Sequence, residues 1–313
     1  MAKSNTARRA SKSPKDTDVQ QPSASAQATN APITIHSLHL VLLIGVLQPL
    51  FLLLSLFFLP QRALAPSLPQ TDSNITAAIS PFARGLHAIS AIYDNPDHIA
   101  GTQLRTKVLS ASAIAVFITQ AWLTRALGKW VAADQRRNAV KPESTVSSTF
   151  ESLAMSVLSL PISTTIFVLL LTLTLGAPIP FTDGHTIPTL TLAFHLALMI
   201  ALPASHILGS DWSRWDTVFL PALHAPPSAA PPPPQSQEGA GSKTSSRGSA
   251  WHAVLFYPAT GALLGAVLAS FGLALDWGRP WQIWPLPPLL GSTAGLVVGN
   301  WLGIRAYMLQ VSA

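Results

Sequence analysis

Cysteine is absent from this chain, which excludes disulfides, thiol catalysis and Cys-ligated zinc. Charge is scarce. Asp, Glu, Lys and Arg make up 10% of the 313 residues, against roughly 25% in ordinary soluble domains. Such a deficit points to membrane residence, because lipid gives charged groups no solvation. Recurring enzyme signatures are missing too. The sequence has no Gly-x-Ser-x-Gly, no phosphate-cradling loop, no paired-carboxylate pattern and no HExxH. His195 and His206 share a predicted helix but stand about 16 Å apart along it. One ion cannot bridge them, and they read as polar packing groups. The net charge of +6 does not describe a nucleic-acid surface, because the positive residues lie in tails and loops beside apolar stretches.

What is present is apolar and helical. Hydrophobic residues make up 49% of the chain. Six stretches approach the roughly 20 residues that a bilayer requires: about 37–59, 108–127, 153–177, 187–208, 251–275 and 286–309. The second is the weakest, being rich in Ser, Ala and Thr. Pro49, Pro161, Pro203 and Pro258 fall inside spans, where kinks are expected and not breaks. The fold expected is an all-α integral membrane protein of about six transmembrane helices.

Composition divides the chain further. Residues 1–35 are polar and basic and read as a disordered cytosolic tail. The apolar run near Ser37 is expected to act as an uncleaved signal anchor. Residues 36–313 form the multi-span domain, with a Pro/Ser/Gly-rich loop insert at 225–249 that holds Pro231–Pro234. Segments 61–107 and 128–150 are expected to be loops. With the N-terminus in the cytosol, 14 of the 19 Lys and Arg residues fall on that side. The positive-inside rule then places both termini in the cytosol. Asn74, in an Asn-Ile-Thr triplet, becomes a possible lumenal N-glycosylation acceptor.

Two features stand out. Between the fifth and sixth spans lies Leu-Asp-Trp-Gly-Arg-Pro-Trp-Gln-Ile-Trp-Pro, residues 275–285. Asp276, Trp277, Arg279, Pro280, Trp281 and Trp284 crowd into this lumenal elbow. The tryptophans could stack on a sugar or lipid head group while Asp276 and Arg279 supply hydrogen bonds. They could equally form an interfacial aromatic belt. Directly after the elbow come Gly291, Gly295, Gly299 and Gly303, one every fourth residue. This spacing puts them on one helix face and admits close approach of a second helix. Gly261 and Gly265 form a GxxxG pair in the fifth span. Gln48, Gln120, Asn300 and Arg305 are polar residues scattered within spans, too few for an evident ion relay. Asp211-Trp212-Ser213-Arg214-Trp215 echoes the elbow, and chance is the safer reading.

The elbow and the glycines after it closely resemble the PIG-F family of glycosylphosphatidylinositol (GPI) anchor biosynthesis, over residues 275–303. The resemblance implies a small multi-span protein of the endoplasmic reticulum membrane. It implies a non-catalytic, stabilising subunit of a GPI ethanolamine-phosphate transferase. Such enzymes carry phosphoethanolamine from phosphatidylethanolamine to mannose of the GPI precursor. The expected partners are the transferase's catalytic subunits, the precursor glycolipid and membrane lipids. No cofactor is expected on this chain, and metal is expected only on the transferase. Two other readings stay open: a multi-span lipid transporter or scramblase, and a membrane enzyme in its own right.

Overall fold

The computed structural model describes residues 35–58, 98–138, 149–177, 186–220, 247–275 and 284–312. Among these residues there is no strand. Helix α1 covers residues 35–58. Helix α2 is His98–Asn138, α3 is Thr149–Leu175 and α4 is Thr186–Leu208. A short α5, Trp212–Phe219, follows. Helix α6 covers residues 247–274, and α7 is Leu286–Ser312. Residues 1–34 of the tail, Asn74, residues 225–246 of the insert and elbow residues 276–283 lie outside the described residues, while the insert's last residues, 247–249, open α6.

Among the described residues, five helices are long and apolar enough to cross a membrane: Ile35–Leu56, Thr106–Arg137, Phe150–Leu175, Thr186–Leu208 and Ala250–Ala274. The sixth expected span, α7, has the length, at 27 residues, but not the apolarity. Its glycines, Pro287, Pro288 and Asn300 dilute the hydrophobic content. It needs less, because one face is covered by α6. The two run antiparallel, with Gly291 beside Gly265 at one end and Gly303 beside Ala253 at the other. Helix α7 therefore lies alongside a helix that meets both criteria.

The prolines are accommodated in two ways. Pro161 and Pro258 sit inside continuous α-helix. Pro49 and Pro203 each stand just after a π-helical stretch, Val41–Leu47 and Ala197–Ala201. A proline lacks an N–H and clashes with the carbonyl four residues back. The wider π-turn moves that carbonyl aside, so the helix continues.

Helix α2 corrects the expected loops. It has 41 residues, about 60 Å at 1.5 Å per residue, so residues 98–107 and 128–138 are helical and not loop. Lys, Ala, Gln and Arg are strong helix formers, and charge alone does not end a helix. Helix α5 lies between the fourth expected span, 187–208, and the 225–249 insert. Asp211 caps it, its Oδ1 accepting from the Ser213 N–H at 3.0 Å. The Arg214 Nε is 3.4 Å from Asp211 Oδ2. The Trp215 indole donates to the Gly209 carbonyl at 3.1 Å. The echo of the elbow is here a capped helix start.

The interior has two apolar regions. One gathers Leu52, Val116, Leu192, Leu196 and Leu296. The other gathers Leu40, Ile44, Leu208, Trp251 and Ile304. Helices α1, α2 and α7 run through both, and each carries one buried amide between its two apolar faces.

Candidate functional site

Helices α6 and α7 are joined by the elbow, so the seam between them fixes both of its flanks. The glycines of the two helices face one another. A Cβ on Gly261 would fall on the Gly295 carbonyl, and a Cβ on Gly295 on the Gly261 carbonyl. Gly265 and Gly291 block each other in the same reciprocal way. A Cβ on Gly299 would meet the backbone of Tyr257 and Pro258. At Gly303 the fit is looser, with the Ala253 carbonyl oxygen 2.8 Å away. In each case main chain stands in the way, joined at Gly291 by the Ala269 Cβ, and neither can swing aside as a long side chain can. The stripe on α7 is thus filled by a helix of the same chain.

Of the elbow residues, Trp284 is described and Asp276, Trp277, Arg279, Pro280 and Trp281 are not. The Trp284–Pro285 peptide bond is cis. The Trp284 indole donates to Thr189 Oγ1 at 3.0 Å. This ties the entry to α7 to the first turn of α4. Directly after Pro285, α7 begins with Leu286 buried. Trp284 packs against the apolar region around Leu289, so it is held in place and is not simply an interfacial ring.

Gln48, Gln120 and Asn300, scattered in sequence, meet in the fold. The Asn300 Nδ2 donates to Gln48 Oε1 at 2.9 Å and to the Ile44 carbonyl at 3.0 Å. The Gln48 Nε2 donates to Gln120 Oε1 at 3.2 Å. All three are buried. They line a cavity of about 30 Å³ with Thr124. The Gln120 Nε2 and the Thr124 hydroxyl have no hydrogen-bond partner among the described residues. A space of that size suits a water-sized guest and is far too small for a lipid head group. Arg305, the fourth polar residue of the spans, is exposed and stands apart.

The opposite end of the bundle carries a cluster that sequence reasoning missed. His36 at the start of α1 stacks on Trp130 of α2, with centroids 4.7 Å apart and planes at 9°. The Trp130 indole donates to the His36 carbonyl at 3.0 Å. Asp134, one helical turn on, accepts from the Tyr307 hydroxyl of α7 at 2.7 Å. His36 Nε2 lies 3.3 Å from Asp134 Oδ1 without the alignment of a hydrogen bond. His36, Asp134 and Tyr307 are each buried. The signal available was a single acid in a helical segment otherwise full of Lys and Arg.

His195 and His206 pack as expected of polar packing groups. His195 is fully buried, with Nδ1 2.8 Å from the Thr191 carbonyl. His206 Nδ1 is 3.1 Å from the Ser156 hydroxyl of α3. Nearby, the Ser159 and Ser205 hydroxyls are 2.8 Å apart. Short hydroxyl side chains let α3 and α4 approach while satisfying each other.

Against this geometry, comparison with known proteins is specific. The model of "GPI biosynthesis protein family Pig-F" matches residues 85–229 and 239–304, well over half of the chain. The gap between the matched parts holds Pro231–Pro234 of the insert. A Mus musculus protein named "GPI ethanolamine phosphate transferase, stabilizing subunit" is 43% identical over 51 residues, 16% of this chain and 23% of the relative. Its Homo sapiens counterpart of the same name is 41% identical over 51 residues, again 16% and 23%. "Glycosylphosphatidylinositol anchor biosynthesis protein 11" of Aspergillus fumigatus is 28% identical over 144 residues, 46% of this chain and 38% of the relative. The match thus spans between about a quarter and two fifths of these relatives' own length. No solved structure matches the chain. With residues 85–229 and 239–304 matched to one family model, this multi-span membrane protein belongs to the GPI biosynthesis protein family Pig-F.

Proposed function

We propose that this protein is the non-catalytic, stabilising subunit of a GPI ethanolamine-phosphate transferase in the endoplasmic reticulum membrane. The observation that carries the reading is the family match together with relatives whose names state that role. In this reading the partner's catalytic subunit moves phosphoethanolamine to mannose of the GPI precursor and holds whatever metal the reaction needs. This chain supplies a membrane scaffold and a recognition elbow. Asp276, Trp277, Arg279, Pro280, Trp281 and Trp284 are the proposed contacts to partner or glycolipid. The seam of Gly261, Gly265, Gly291, Gly295, Gly299 and Gly303 holds the flanks of that elbow together. Orientation follows from charge: Lys129, Arg136 and Arg137 close α2 at the end where α1 begins. That end is proposed to face the cytosol, which leaves the elbow and Asn74 lumenal.

The test is twofold. Affinity purification of the tagged chain in mild detergent should recover a transferase catalytic subunit. Cells depleted of the chain should lose that subunit and accumulate GPI precursors lacking phosphoethanolamine. A normal precursor profile in depleted cells would overturn the proposal.

A further inference from the structure

A groove between α1 and α2 has a chemistry that the proposed role does not use. It encloses about 490 Å³ beside the His36 cluster. On α2 it is lined by a stripe running from Trp122 through Ala126, Trp130 and Ala133 to Arg137. Steps of three and four residues keep this stripe on one helix face. His36, His39, Leu43 and Leu47 form the matching stripe on α1.

The groove is polar at one end only. His39, Lys129 and Arg137 stand at the end of the bundle where α1 starts and α2 finishes. Toward the middle the lining becomes Leu42, Leu43, Leu47 and Trp122. Trp122 stands edge-on against Phe51, centroids 5.7 Å apart, and closes the apolar floor. Asp134, the acid nearest the rim, does not line the groove. It is buried and engaged by Tyr307 and His36. Among the described residues, the groove therefore offers positive charge without a carboxylate in its lining.

Its dimensions fit one class of molecule. From Trp122 to Arg137 is fifteen residues, about 22 Å along the helix axis. Half of a bilayer, head group included, is likewise about 20–22 Å thick. Both helices are long and apolar enough to cross a membrane over these residues. A ligand here must thus be anionic at the membrane surface and aliphatic below it.

We propose that this groove is a binding site for an anionic phospholipid. The phosphate sits between Lys129, Arg137 and His39, and one acyl chain lies along Leu42, Leu43, Leu47 and Trp122. Basic pockets between transmembrane helices favour anionic head groups for this reason. The stacked His36–Trp130 pair forms the wall between head group and chain. The site is independent of the transferase role, since both of its walls belong to this chain.

The experiment uses the full chain purified in mild detergent and put into nanodiscs of phosphatidylcholine doped with phosphatidylinositol or phosphatidylserine. Lipid retained after re-extraction is read by native mass spectrometry. Retention of the anionic lipid over phosphatidylcholine is expected. Each cation near a membrane surface contributes roughly five-fold, so Lys129→Ala with Arg137→Ala should lower retention about thirty-fold. Arg136→Ala, on the same turn but outside the groove, should leave it unchanged. Leu42→Trp fills the aliphatic part while keeping every charge, and should also reduce retention. Four results would overturn the proposal. They are equal retention of phosphatidylcholine, an unaffected double variant, equal binding of soluble glycerophosphoinositol, and a protein adduct in place of a lipid one from a photoreactive residue at position 42.

Discussion

Replacing Gly295 by alanine adds one methyl group at the tightest part of the α6–α7 seam. That methyl would fall on the Gly261 carbonyl oxygen, with the Gly265 Cα 3.1 Å away. Both obstacles are backbone, so relief requires the helices to part. Overpacking of this kind costs about 1–3 kcal/mol, and a gap of 0.5–1 Å forfeits a quarter to a half of the dispersion along the seam. The upper end of that range applies, offset by about 1 kcal/mol from the better helix propensity of alanine. The net loss is about 2 kcal/mol, or a thirty-fold shift in the folding equilibrium. Gly303→Ala is the internal comparison. There the nearest atom is 2.8 Å away, against about 3.4 Å for ordinary contact. The backbone must still give, by about 0.6 Å, so the cost is smaller than at Gly295 and the propensity gain offsets part of it. Thermal loss of the monodisperse peak in dodecyl maltoside reads both. Gly295→Ala should lower the midpoint by about 5 °C and Gly303→Ala by less. Equal midpoints for the wild type and Gly295→Ala, or a larger drop for Gly303→Ala, would refute the backbone-contact reasoning.

The amide trio gives a second prediction: Asn300→Leu and Gln48→Leu should each destabilise, with a coupling of about 1 kcal/mol between them in a double-mutant cycle. Additive effects would show that the 2.9 Å bond contributes nothing. Trp284→Phe should cost about 1 kcal/mol by removing the indole donor to Thr189, read as a lower thermal midpoint. Arg279→Lys and Trp281→Ala should both block ethanolamine-phosphate addition at matched protein levels, because Lys lacks the planar fork of Arg and Ala lacks the rigid ring face. Unchanged lipid-linked precursors in both would remove the elbow as a recognition element. Tags at Met1 and Ala313 should both be digested on intact microsomes, and protection of only one would remove the even-span topology.

Much of this architecture was local information. The span positions follow from runs of apolar residues, and the structure moves most of their ends by few residues. The glycine face of α7 follows from a four-residue period, which one helix displays by itself. What faces that stripe is legible only in combination, through the GxxxG pair Gly261 and Gly265 and a short connection that forces neighbours. The amide trio was invisible for the opposite reason. Gln48 and Gln120 are 72 residues apart, and Gln48 and Asn300 are 252 apart. No periodicity links them, so each read as a lone polar residue in a span. The basic end of α2 was misread because charge was allowed to outweigh helix propensity. Asp211 carried a capping signal, a short acid directly before a helical run, that its likeness to the elbow obscured.

The seam and the elbow are one mechanical unit, and this sharpens what a mutation there can mean. Helix α6 enters the elbow and α7 leaves it. Their separation is set by main-chain contact at Gly265 and Gly291, roughly two to three turns from the elbow itself. Trp284 then fixes the exit to α4 through Thr189. Widening the seam at Gly291 should therefore impair function even where Asp276, Arg279 and Trp281 are all intact. Loss of the seam and loss of the elbow differ in their second readout. A seam variant lowers the amount or the thermal midpoint of this chain itself. An elbow variant leaves both alone and changes only what the chain binds. Function lost without either change, from a substitution confined to residues 276–283, is the pattern that assigns recognition to the elbow and support to the glycines.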